Sequence, residues 1–207
     1  MAVQQIYNKI LAQKLIEEFA RRNMEGFFCE TKEQALAQAL ALLPREALIS
    51  CGGSATLEEI GLLDALRQGG YNFLDPHSGH SAAEMDAIAH GALAADYYFM
   101  SANAIAETGE LVNVDGYGNR VAALIFGPKH IIIIAGLNKV TPTLAEALQR
   151  AKTYAARMIT LKFTADCAFF TELQQAAENA VSQLLITSKF TNKERVKIIL
   201  VGETLGF

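Results

Sequence analysis

The chain has no tryptophan and only three cysteines (Cys29, Cys51 and Cys167), far apart and in no CxxC pair. That leaves neither a zinc-ligand pattern nor a disulfide framework, and three free thiols suit a reducing cytoplasm. Basic residues are scarce as well: the formal net charge is −4, and no Lys/Arg cluster supplies the basic face that a nucleic-acid binder needs. Long apolar runs are missing. The most apolar stretch, Ile131–Leu137, falls far short of the roughly 20 residues that span a bilayer. The opening MAVQQIYNKILAQKL is polar and charged where a signal peptide carries its apolar segment. These absences predict a cytoplasmic protein with no nucleic-acid or membrane partner. The 51% hydrophobic and 19% charged residues predict a folded globule, and 207 residues fit one α/β domain spanning 1–207.

Apolar spacing sets the element order. Val3, Ile6, Tyr7, Ile10, Leu11, Leu15 and Phe19 recur at helical intervals, predicting an amphipathic N-terminal helix within residues 1–24. Its stripe either packs on the domain or serves as a docking or dimerisation element. Residues 26–30, 47–51, 71–74 and 96–100 read as strands. Thr31 with Gln34, Thr56 with Glu59, Ser81 with Glu84, and Thr143 with Glu146 read as capping pairs opening helices. Residues 101–127 break the alternation. Two turn signals flank Glu110–Val114, which predicts a hairpin or excursion, and periodicity leaves Arg120–Phe126 open between strand and helix. Ile131–Ala135 is β-branched without polar alternation, as in a parallel strand buried on both faces. A helix over about 169–187 and a last buried strand at Val196–Val201 complete the order. The predicted fold is α/β, an open, mainly parallel sheet with helices on both faces.

In such sheets ligands bind beyond the carboxyl ends of the strands. Three polar segments fall there. Gly52, Gly53, Ser54 and Thr56 follow the second strand, where glycines admit close backbone approach; the same residues serve equally as a structural turn. Glu58 and Glu59 in the following turn would repel an anion. The segment matches neither nucleotide-binding fingerprint. Asn103, Glu107, Thr108, Glu110, Asn113, Asp115, Asn119 and Arg120 lie in the excursion. Either they form a self-satisfied polar hairpin, or Glu107 or Glu110 works as acid, base or nucleophile while Arg120 grips an anion. Asn138 and Lys139 follow the most buried strand, with Lys139 either a surface residue or a charge partner for a ligand. His77, His80, His90 and His130 suit surface or capping roles better than metal binding. Cys51 is better read as a buried thiol than a reactive one.

CGGSATLEEIGL (51–62), SANAIAETGELVNVDGYGNRVAALIFGPKHIIIIAGLNKV (101–140) and VKIILVGETLGF (196–207) resemble the lactate-utilisation (LUD) domain family. The resemblance implies a fold similar to the sugar-phosphate isomerase and CoA-transferase group. It adds Glu59, Gly109 and Gly118 to the site candidates above. It also implies accessory work beside iron–sulfur subunits of a system that oxidises L-lactate to pyruvate. Many relatives carry a cysteine-rich stretch before the last strand; here 157–195 holds only Cys167. One thiolate cannot hold a four-cysteine cluster, so no cofactor is expected in this chain. Three functions follow: a non-redox component binding a small anionic metabolite beside separate iron–sulfur subunits, a free-standing enzyme on a CoA thioester or phosphorylated metabolite, or a ligand-sensing scaffold. The first helix suits a homodimer or a hetero-complex.

Overall fold

The architecture, a computed structural model describing residues 2–163 and 177–207, follows from the apolar patterns. Strand β1 (Glu25–Cys29) and helix α2 (Lys32–Ala41) follow helix α1 (Val3–Arg21). Next come β2 (Leu48–Cys51), α3 (Ala55–Glu59), α4 (Leu62–Gln68), β3 (Asn72–Leu74), α5 (Ala82–Ala92) and β4 (Tyr97–Met100). The excursion forms β5 (Ala104–Ala106) and β6 (Leu111–Asp115), then α6 (Asn119–Phe126). The chain continues through β7 (His130–Gly136), a 3-10 turn (Leu137–Lys139), β8 (Val140–Thr141) and α7 (Leu144–Arg150). A wide turn at Ala151–Ala155 links α7 to α8 (Ala156–Phe163), and β9 (Gln183–Thr187) and β10 (Val196–Val201) follow.

Six strands form a wholly parallel sheet in the order β1-β10-β7-β4-β2-β3. β7 lies inside it because Ile131–Ile134 can bury both faces. Ile131 and Ile133 pack with Leu11, Leu15, Phe19 and Leu124 from α1 and α6. Ile132 and Ile134 pack with Ala35, Leu57 and Leu66 from α2, α3 and α4. The period-2 alternation thus feeds two cores from one run, with helices on both faces. Burying each such side chain contributes about 1.5–3 kcal/mol. A second, four-stranded sheet, β8-β5-β6-β9, draws β5 and β8 from the chain that leaves the carboxyl ends of β4 and β7. The predicted excursion is its central antiparallel hairpin.

Three expectations change. Residues 183–187, read as the end of a helix, form β9, pairing antiparallel with β6 from Leu111↔Thr187 to Asp115↔Gln183. The ladder offered by β6 overrides the local helical pattern; the earlier part of that predicted helix, with Cys167, lies outside the described residues. Thr56 and Glu59 do not cap α3, whose N-cap is Ser54 without a side-chain hydrogen bond. Thr31, Ser81 and Thr143 do cap their helices, accepting from Gln34, Glu84 and Glu146 backbone N–H groups. The α1 stripe divides: Leu11, Ala12, Leu15 and Phe19 are buried, while Val3, Ile6, Tyr7 and Ile10 are exposed. Arg120–Phe126, undecided from periodicity, is helical, with Asp115 accepting the otherwise orphaned first-turn N–H groups of Arg120 and Val121.

Candidate functional site

The strand ends of β2, β4 and β7 and the last residues of the chain surround a cavity of about 580 Å³. Gly53, Ser54 and Thr56 reach it from the β2–α3 junction, Ser101 and Asn103 from the end of β4. Asp115 enters from the end of β6, Asn119 and Arg120 from the start of α6, and Lys139 from the turn after β7. Lys162, Glu58, His77, Tyr117 and Phe207 add charged and aromatic groups to the wall.

Lys139 is a basic group far removed from water. It is buried at 3% exposure. Its Nζ donates to Thr56 Oγ1 at 2.8 Å and Ser101 Oγ at 3.0 Å. Both partners are neutral hydroxyls, so among the described residues no carboxylate in direct contact compensates an ammonium charge. Burial, with help from the Arg150 and Arg120 cations, outweighs the distant pull of Glu59 and lowers the amine to about 7. Thr56 lies inside α3, one residue past its start, so it is not the cap; its hydroxyl serves Lys139 instead.

Arg120 is held from behind. Its Nη2 donates to the Val114 carbonyl at 2.7 Å, and its Nε lies 3.7 Å from Asp115 Oδ2. That carboxylate accepts the backbone N–H groups of Arg120 and Val121 through Oδ2 and of Tyr117 through Oδ1. Asp115 is therefore a cap for α6 more than a free acid. Gly52, next to the cavity, makes room for the guanidinium arm: a Cβ there would sit 2.5 Å from Arg120 Cγ. Asn103 accepts from Val114 N–H at 3.0 Å, joining the β4 exit to β6.

The two glutamates that the sequence offered for chemistry lie elsewhere, where the β5–β6 turn meets α1. Glu107 pairs with Lys14 at 2.7 Å and Glu110 with Arg22 at 2.7 Å. Thr108 donates its hydroxyl to Glu110, and its carbonyl accepts from Arg22 Nε. Burial pushes the Glu110 carboxyl up, but Thr108, a backbone N–H and Arg22 outweigh it and hold it below its ordinary value. Gly109 is in this turn, and neither glutamate lines the cavity.

Asn113 is buried in β6, and among the described residues neither of its side-chain polar atoms has a hydrogen-bond partner. Asn138 accepts the Leu205 N–H at 3.1 Å, and Glu59 accepts the Gly206 N–H at 2.7 Å, so both strap the last residues over Lys139. Gly206 has φ +54°, and a Cβ on it would lie 2.5 Å from Thr56 Oγ1. The expected repulsion from Glu58 and Glu59 is relieved: Glu59 holds this strap, and Glu58 pairs with Lys162 at 2.6 Å. Ser101, Glu58, His77 and Lys162 were missing from the candidate list. A small polar residue directly after a buried strand signals Ser101; the Glu58–Lys162 pair, 104 residues apart, has no local signature.

Among the described residues no group of three or more His, Cys, Asp or Glu is placed to hold a metal. Burial pushes the Cys51 thiol up to about 12, which leaves it protonated and inert. No described helix is long and apolar enough to cross a membrane.

The LUD domain family model matches residues 12–201. No curated protein matches the chain. The crystal structure of a DUF162 family protein from Deinococcus radiodurans is similar in fold, with a TM-score of 0.55 at 15% identity, covering 94% of this chain and 98% of that one.

Proposed function

This chain belongs to the LUD-domain family, and from that premise we propose that it is a cytoplasmic, non-redox component of organic-acid utilisation that binds a small anionic metabolite. The observation that carries the reading is Lys139. A buried amine whose direct partners are two hydroxyls stands on the wall of a cavity that Arg120 also lines. An anion entering there supplies the missing countercharge, so binding raises the Lys139 pKa from about 7 and takes up protons near neutral pH. The carboxylate wall groups oppose this little, since Glu58 is paired with Lys162 and Asp115 is spent as a cap.

Redox chemistry in this proposal belongs to partner iron–sulfur subunits. The three cysteines do not fit a four-thiolate cluster: Cys29 is on β1 and Cys51 on β2, four strand spacings apart, or about 19 Å. An absorbance band in the visible range from anaerobically purified protein refutes that part. The alternative, a CoA-thioester or phosphate-ester enzyme acting through Glu107 or Glu110, draws no support from their pairing with Lys14 and Arg22.

A thermal-unfolding screen against organic acids, CoA esters and sugar phosphates tests the binding. A ligand at 100 times its Kd adds about 2.7 kcal/mol, or roughly 5–10 °C for a chain this size. Calorimetry in two buffers of different ionisation heat then reads the proton uptake. No shift with any of the three classes overturns the proposal.

A further inference from the structure

We infer that Lys139 is a nucleophile whose amine condenses with the carbonyl carbon of a small anionic aldehyde or ketone held in the cavity. This rests on the anion-binding reading and names its ligand class.

The arrangement around Nζ suits the neutral amine. Two N–H bonds are directed at Thr56 Oγ1 and Ser101 Oγ, at 2.8 and 3.0 Å, which leaves the remaining tetrahedral position for the lone pair. A lysine intended only as a fixed positive charge is stabilised by a carboxylate in contact; here, among the described residues, hydroxyls take that place, and the cations Arg150 and Arg120 disfavour protonation against the opposing pull of Glu59. The amine titrates near 7; a bound anion raises that value, yet the starting point lies so far below an ordinary lysine that a reactive share of neutral amine remains, growing with pH. The same cavity holds Arg120, a planar cation able to fix the ligand's carboxylate or phosphate, and so to orient the carbonyl beside Nζ.

The chemistry balances without a further reactant. The lone pair forms the C–N bond as the carbonyl π electrons move to oxygen. One amine proton passes to that oxygen, relayed by the Thr56 or Ser101 hydroxyl, giving a carbinolamine. The C–O bond then breaks, and oxygen leaves as water with the second amine proton, leaving a C=N bond to Lys139. The two hydroxyls are positioning and proton-relay groups; only Lys139 bonds to the ligand.

Reductive trapping tests this on the full chain. Glyoxylate or pyruvate is added with sodium cyanoborohydride, followed by intact-mass measurement and peptide mapping; glycolate and lactate, which lack the carbonyl, serve as matched anions. The expected result is one irreversible adduct on the peptide bearing Lys139, half-maximal in rate near pH 7 at subsaturating acid and at higher pH when the site is filled, and none from glycolate or lactate. Mapping of the unaltered chain locates the adduct, so the result stands even where Lys139→Met folds poorly. Adducts spread over exposed lysines, or none on Lys139, overturn the inference. Stabilisation by these acids without an adduct overturns it while the anion-binding reading survives. Neither stabilisation nor adduct overturns both.

Discussion

Replacing Lys139 by methionine keeps much of the side-chain volume and removes the amine, so its effect on stability is expected to depend on pH in a calculable way. In the folded chain the amine titrates near 7 against 10.5 for an ordinary lysine. Between those values the unfolded chain binds more protons than the folded one, so wild-type stability rises with pH across that window. Below it the penalty for burying the ammonium is fully present. At ~1.4 kcal/mol per pH unit, the penalty amounts to about 5 kcal/mol under acid conditions and falls to about 2 kcal/mol by pH 9. The substitution also leaves Thr56 and Ser101 without their donor, at a cost of about 1–3 kcal/mol that does not vary with pH. The absolute difference between variant and wild type therefore carries less information than its slope. From pH 6 to pH 9 the stability of Lys139→Met relative to wild type is expected to drop by about 3 kcal/mol, or roughly 6–12 °C in Tm. Urea unfolding of both proteins at matched pH values measures this, with titrating groups not coupled to Lys139 cancelling in the difference. Parallel stability profiles refute the reasoning, because they mean that Lys139 carries its charge in the folded state as easily as in water.

Two further outcomes follow from the site's surroundings. Glu107→Gln together with Glu110→Gln is expected to cost about 1–3 kcal/mol by loosening the hairpin from Lys14 and Arg22, while anion affinity stays within about threefold; loss of binding measured by calorimetry places these carboxylates in the functional site after all. Gly206→Ala forces a Cβ to 2.5 Å from Thr56 Oγ1 in a left-handed backbone, so a loss of about 1–3 kcal/mol is expected, accompanied by a shifted Lys139 titration in NMR of specifically labelled lysine. An unchanged titration shows that the strap does not set the environment of the amine.

Much of this molecule was legible from local pattern. Ile131–Ile134, apolar without alternation, announces a strand covered on both faces, and β7 is that strand inside the parallel sheet. Thr31, Ser81 and Thr143 mark helix starts because a cap needs only the next three residues. The Thr56–Glu59 pattern fails for an equally physical reason: α3 starts before Thr56, and Lys139 and Gly206, remote in sequence, take those side chains. Residues 183–187 have no intrinsic reason to be extended until β6 presents an unpaired edge. Sequence alone determined the α/β class, the element order apart from β8, β9 and α6, and the polar segments at the strand ends, since these depend on periodicities of two and 3.6 residues. Only the tertiary structure decided which polar side chains share a cavity: it turned Glu107 and Glu110 toward α1 and left Lys139 among hydroxyls. Burial and the choice of partner are set by segments far apart in the chain, and those are what tune a charge.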